Sequence, residues 1–304
     1  MARRRRGLPV DGVLLLDKPR AMSSNHALQR VRRLFQAQKA GHTGTLDPMA
    51  TGLLPVCFGE ATKFSSYLLD ADKRYRARVR LGEVTDTGDA DGEVVERHPV
   101  AMFSDADIER VLAAFRGEID QVPPMYSALK HQGRPLYELA RQGKTIERAA
   151  RRVTVYDMRL LGRDAAGFDL DVACSKGTYI RTLAEDIGRR LGCGAHITAL
   201  RRLGTGPFGA DGLISVEALE SMPDQAALES RLLPMDALVA HLPALRVDDD
   251  AARRLMLGQR VATDTAGLST DGLARLYRGR VFLGLVTISA AGEVTPRRLV
   301  ASRQ

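Results

Sequence analysis

The run "KRYRARVRL", Lys73–Leu81, alternates without a break. In an extended chain Arg74, Arg76, Arg78 and Arg80 share one face, and Tyr75, Ala77, Val79 and Leu81 share the other. A strand with one charged and one apolar face is half-buried in an antiparallel sheet, its apolar side on a core. The arginine row reads as a solvated face.

The rest of the chain reads as helices and strands around that sheet. Gly12–Lys18 is a short apolar run ending at Pro19, hence a buried strand. Ser23 or Ser24 caps a helix in which Ala27, Leu28, Val31, Leu34 and Phe35 recur at helical spacing. "LLPVCFG" is a second strand, where Pro55 suggests an edge or a bulge. Glu60 to Leu69 reads as a helix, and so does Asp105 to Phe115. "DADG", Asp89–Gly92, reads as a turn with a return strand at Glu93–Arg97. "RRVTVYDMRLLG" and "GFDLDVACSKG" form a hairpin. Tyr179 to Leu191 is an amphipathic helix with Thr178 as its expected N-cap. Asp248–Asp250 open a further helix, and short strands dominate from Leu273. These signals give an α+β class with two domains, 1–245 and 246–304.

Charge narrows the partner. The 45 Lys and Arg outnumber the 37 Asp and Glu, a net +8, and most of the cations are arginine. Arginine forks match phosphate geometry, so an anionic partner, RNA included, stands beside the plainer reading of a basic protein. From about Gln121 to Arg152 the cations are dense: Lys130, Arg134, Arg141, Lys144, Arg148, Arg151 and Arg152. That segment shows little core of its own and is a candidate mobile binding arm. Arg3 to Arg6 read as a second, N-terminal arm.

Other classes are excluded. Cys57, Cys174 and Cys193 are odd in number and far apart, which argues against a disulfide framework or a zinc site and fits a reducing compartment. No segment approaches the roughly 18 apolar residues of a membrane span, and the N-terminus lacks the apolar run of a signal peptide; a cytoplasmic protein is expected. "TDTGDADGE" brushes the calcium-loop pattern, but Thr87 stands where the first Asp belongs and His98 where the last Glu belongs. No nucleophile elbow, Walker loop, HExxH or CxxC is present. No metal and no cofactor are expected.

The loop "GHTGTLDPMATG", Gly41–Gly52, carries a single acid, Asp47. Local rules favour Asp47 as an N-cap before a proline. The glycines permit close approach of a ligand, and functional acids often sit on such loops. A catalytic Asp47 without a second acid or metal would act as a nucleophile or a lone base. Arg181, at the third position of its helix where an acid is usual, would then be its partner. Tyr75 would stack on a base or carry a proton.

Five stretches together are specific. "GVLLLDKPRAMSSNHALQRVRRLF", "KAGHTGTLDPMATGLLPVCFGEATKF", "KRYRARVRLGEVTDTGDADG", "QVPPMYSALKHQGRPLYELAR" and "CSKGTYIRTLAEDIGRRLG" occur in this order. In them the chain resembles the TruB family of tRNA pseudouridine synthases, which act on uridine 55 of the T-arm loop. The resemblance implies a catalytic domain on a mixed, largely antiparallel sheet, and a small β-rich PUA-like C-terminal domain. It implies Asp47 as nucleophile, Tyr75 stacked on the target base and Arg181 paired with Asp47. It implies His42 beside the flipped nucleotide, and Tyr179 and Leu200 lining the uridine pocket. It implies an RNA-clasping insertion at about 121–152, tRNA as partner, no obligate protein partner and a monomer. Two other readings stay open: an RNA-binding or tRNA-folding protein on this scaffold, and a guide-RNA-dependent relative. Attack of Asp47 at C1′, attack at C6, and elimination through a glycal are equally open.

Overall fold

The computed structural model describes residues 7–265, 267–269 and 272–301; the arginines at 3–6 lie outside them. Strand β1 is Gly12–Lys18. Helix α1, Ser24–Leu34, is capped by Ser23, whose hydroxyl accepts from the His26 N–H at 3.1 Å. β2 (Ala40–His42) enters the glycine loop and β3 (Thr51–Phe58) leaves it. The helix expected over 60–69 is two pieces, a 3-10 turn at Gly59–Lys63 and α2 at Ser65–Leu69, interrupted at Phe64. Phe64 is fully buried with its ring centroid 5.3 Å from that of Phe282, so tertiary packing overrides helical continuity there.

The alternating run is β4, Lys73–Leu81. β5 (Glu83–Thr85) and β6 (Val94–Arg97) make a separate hairpin, followed by α3 (Asp105–Ala113) and β7 (Gly117–Gln121). Within the basic segment lie β8 (Lys130–His131), β9 (Arg134–Pro135) and α4 (Leu136–Ala140). β10 (Arg151–Asp164) and β11 (Gly167–Cys174) form the expected hairpin. Then come α5 (Ile180–Leu191), β12 (Ala195–Thr205), β13 (Ile214–Ser215), α6 (Val216–Glu220) and α7 (Gln225–Glu229). The chain ends in β14 (Ala244–Val247), α8 (Asp249–Met256), β15 (Val261–Ala262), β16 (Gly272–Arg278), β17 (Val281–Ile288) and β18 (Glu293–Leu299).

Nine strands form one sheet in the order β13-β1-β3-β12-β4-β11-β10-β7, with β2 paired to β3. β1 with β13 and β3 with β12 are parallel, and the other neighbours are antiparallel. β4 lies between β12 and β11. Its apolar row enters a core shared with Ile180, Leu183, Ala184 and Ile187 of α5. The arginine row is more organised than a solvated face: Arg74 pairs with Asp171 at 2.7 Å, and Arg78 with Asp164 and Asp169 at 2.5 and 3.2 Å.

Pro55 is not on an edge strand. Its carbonyl accepts from the Thr43 N–H at 3.1 Å, so its nitrogen faces the same side, in the gap between the β2 and β12 pairings. The C-terminal strands form a second sheet, β14-β16-β17-β18-β15, with its own core. Its Leu285 and Phe282 also pack with Val13, Leu15 and Phe64.

Candidate active site

Asp47 caps no helix. Pro48 and Met49 make a single turn, closed by the Ala50 N–H on the Asp47 carbonyl at 3.1 Å, and the chain then enters β3. The loop is fastened on both sides of the acid. The Ser24 hydroxyl accepts from the Leu46 N–H at 2.8 Å and donates to the Leu46 carbonyl at 3.0 Å. The Lys18 ammonium donates to the carbonyls of Pro19, Met22 and Pro48 at 2.8, 2.6 and 3.4 Å. Arg202 donates to the carbonyls of Gly44 and Leu53 at 3.0 and 2.7 Å. At Gly52, φ is +96° and a Cβ would lie 2.3 Å from the Arg202 carbonyl, so only glycine lets β12 approach. The carboxylate is thereby held in place before any ligand arrives.

The expected pair is formed: Arg181 Nε lies 2.9 Å from Asp47 Oδ2. Arg181 is buried, whereas 33% of the Asp47 side chain is exposed, so the acid keeps an open edge. The rest of the guanidinium is occupied. Nη1 donates to the Thr87 carbonyl at 2.8 Å and lies 3.5 Å from Asp89 Oδ2; Nη2 donates to the Tyr126 carbonyl at 2.6 Å. Arg181 thus joins the Asp47 loop, the turn after β5 and the root of the basic segment.

Tyr179, not Thr178, is the N-cap of α5, and it brings no side-chain cap; Arg181 is therefore the second helical residue. Thr178 instead donates to the Ser175 carbonyl at 3.0 Å. Gln121, at the end of β7, holds the helix start from outside. Its amide donates to the Tyr179 carbonyl at 3.0 Å and accepts from the Tyr179 N–H at 2.7 Å.

Burial pushes the Asp47 carboxyl above its ordinary pKa and Asp89 adds to the push, while Arg181 and Lys18 oppose it. Burial lowers Lys18 to about 8, against the pull of Asp47. Burial and then Arg202 lower His42, whose Nδ1 is buried without a hydrogen-bond partner. Burial raises Tyr75, and the charge of Arg202 opposes the rise. Burial also raises Tyr179, which feels both Arg181 and Asp47. Glu185, one turn after Arg181, is raised to about 7 by burial and by Asp186.

Asp47, Arg181, Tyr75 and Tyr179 therefore share one electrostatic neighbourhood. Leu200 is buried on the Tyr75 face, opposite Ala77, and His42 ends β2 at the mouth of the loop. Four buried polar residues of this site were not anticipated: Asp89, Lys18, Arg202 and Gln121. Asp89 had a signal in the acid-rich turn, and Lys18 had one as a cation closing, after Asp17, an otherwise apolar strand. Arg202 and Gln121 bond mainly to backbone atoms, which leave no mark in a sequence.

The sequence matches known proteins along nearly its whole length. Residues 32–180 match the TruB family pseudouridylate synthase N-terminal domain, 181–240 the tRNA pseudouridylate synthase B C-terminal domain, and 243–300 the pseudouridine synthase II TruB C-terminal model. The tRNA pseudouridine synthase B of Chromohalobacter salexigens is 70% identical, covering 99% of this chain and 97% of that protein. That of Sodalis glossinidius is 53% identical, over 98% and 97%. Among solved structures, a chain of a Cbf5–Nop10–Gar1 complex is 27% identical with a TM-score of 0.71, covering 96% of this chain and 84% of that one. On these matches, which span nearly the whole sequence, the chain belongs to the TruB family of pseudouridylate synthases.

Proposed function

We propose that the chain is a tRNA pseudouridine synthase that isomerises uridine 55 of the T-arm loop, with Asp47 as the nucleophile. The observation that carries the site is the 2.9 Å pair between a part-exposed Asp47 and a buried Arg181, on a loop fastened from both sides. The relatives' names support the activity.

The reaction is an isomerisation. The N1–C1′ bond breaks, the uracil turns, C5 bonds to C1′, one proton leaves C5 and one arrives at N1. Nothing is oxidised or reduced. A uridine in a folded loop first leaves its stack, at about a few kcal/mol, and is received against an aromatic face. Tyr75 is that face and assists the proton transfers. Arg181 keeps Asp47 ionised and aimed. Tyr179 and Leu200 bound the pocket, and His42, which burial and Arg202 push toward its neutral form, stands beside the flipped nucleotide.

Residues 1–245 form the catalytic unit, and 246–304 dock RNA. The insertion at 121–152 clasps it with exposed Lys130, Arg134, Arg141, Lys144 and Arg151. Arg152 is set apart, since Asp120 pairs with it at 3.1 Å. No helix among the described residues is long and apolar enough to cross a membrane; a cytoplasmic monomer completes the reading.

The test uses the protein alone with a T-arm stem-loop carrying tritium on C5 of its uridines. Release of tritium that disappears when uridine 55 is replaced by cytidine is expected. No release from folded protein sinks the proposal, and release only after a guide RNA is added transfers it to the guide-dependent reading.

A further inference from the structure

Arg202 is 1% exposed and among the largest fully buried side chains. Burying a guanidinium is unfavourable unless its charge and donors are compensated. Its hydrogen bonds run to uncharged groups, the Leu53 carbonyl at 2.7 Å and the Gly44 carbonyl at 3.0 Å. Around it stand Lys18, His42 and Lys73, each of which its charge pushes toward the neutral form. A cation placed so, at the floor of a site for an electron-rich base, is unusual for packing alone. The sheet register sets Arg202 directly opposite Tyr75.

An arginine donates and never accepts. A guanidinium that donates to the phenol opposite it makes the phenol oxygen the acceptor and leaves the phenol proton for another partner. We propose that Arg202 is a positioning residue for the reaction: it holds the Tyr75 hydroxyl as a donor toward the uracil, and ties it through Gly44 to the loop that carries Asp47. The inference rests on the assignment of Tyr75 to the target base. The groups that face the phenol are Arg202 from β12, Cys174 from β11 and Asp47 from the loop, and of these Arg202 alone favours loss of the phenol proton. The platform and the nucleophile loop thus share one buried cation.

The test labels tyrosine with ¹³C at Cζ and follows Tyr75 by NMR across pH, its resonance assigned by its loss in Tyr75→Phe. Arg202→Gln shifts the Tyr75 ionisation upward, and Arg202→Lys restores part of the shift. The rate constant kcat for tritium release falls on the order of ten- to a hundredfold in Arg202→Gln with KM within about twofold, a part of the effect of a positioned proton-transfer group. In a Tyr75→Phe background the same change lowers kcat by less than about threefold. Equal losses in both backgrounds, or an unmoved Tyr75 titration in a folded variant, overturn the inference. Where the Arg202 variants do not fold, Tyr75→Phe decides, because it leaves the carbonyl bonds of Arg202 intact. The guanidinium ¹⁵N resonances of Arg202 then move if the phenol was bonded, and stay in place if it was not. Lost tritium release in Tyr75→Phe with unmoved Arg202 resonances sinks this inference and leaves Tyr75 on the base; full release in Tyr75→Phe sinks both.

Discussion

Replacing Arg181 by methionine removes the charge beside Asp47 and keeps much of the side-chain volume. Two unit charges 2.9 Å apart attract by about 6 kcal/mol at an effective dielectric of about 20. A third of Asp47 is exposed, so solvent screening reduces the useful part to about 2–3 kcal/mol. The sign follows from which form reacts. Arg181 lowers the Asp47 pKa, so if the carboxylate is the nucleophile as proposed, loss of Arg181 moves the acid limb of the pH profile upward. The prediction for Arg181→Met is an acid limb moved to higher pH, with partial recovery of rate as pH rises. The variant is also less stable by about 3–5 kcal/mol, because Asp47 and Asp89 are left without their shared cation. Single-turnover tritium release from pH 4 to 9, beside thermal unfolding, measures both, and Arg181→Lys is the control that keeps a charge. An acid limb that stays where it was while the rate falls would mean that Arg181 acts by geometry alone, and the electrostatic reasoning would be wrong.

Four further outcomes follow. Lys18, lowered to about 8, loses its third donor and its charge above that pH, so kcat has an alkaline limb near 8 that is absent in Lys18→Arg; a limb unchanged in the variant assigns it elsewhere. The same lowered pKa makes the buried Lys18 charge a penalty below pH 8 that is relieved between about 8 and 10.5, so this group adds stability as pH rises through that window, readable by denaturant titration. At Gly88, φ is +73° and a Cβ would stand 2.4 Å from Glu185 Oε1, so Gly88→Ala displaces the turn that meets Arg181 and lowers stability by about 1–3 kcal/mol; a melting temperature equal to wild type contradicts this. Neutralising Lys130, Arg134 and Arg141 reduces the slope of log affinity against log salt by about 0.7–0.9 per lost phosphate contact, and an unchanged slope makes the insertion a bystander.

Much of the sheet was legible because β4 alternates so strictly that one register satisfies it, and neighbours at its sides had to be antiparallel. Arg181 was legible as an anomaly, a cation where a helix start prefers an acid, and the 2.9 Å pair resolves it. Asp47 illustrates the limit of local rules. Its dipeptide with Pro48 reads as a cap, but β3 begins three residues after Pro48, which leaves room for a turn and no helix. The helix over 60–69 failed for a tertiary reason, since Phe64 is claimed by Phe282 from the second sheet. Asp89 was read only as a turn residue. It is one: its carboxylate accepts from Thr87 Oγ1 at 2.7 Å and from the Asp91 N–H at 3.1 Å, and its other oxygen faces Arg181. A turn signal and a site residue can be the same side chain, and local spacing reports only the first.

The central claim is that one carboxylate, Asp47, does the bond-making. Asp47→Asn keeps its shape and removes its charge, so the measurement is single-turnover tritium release by that variant on the T-arm stem-loop, with RNA binding checked in parallel. The account predicts binding within about threefold of wild type and release lowered by at least about a thousandfold, as for loss of an essential nucleophile. Release at the wild-type rate by Asp47→Asn would contradict it.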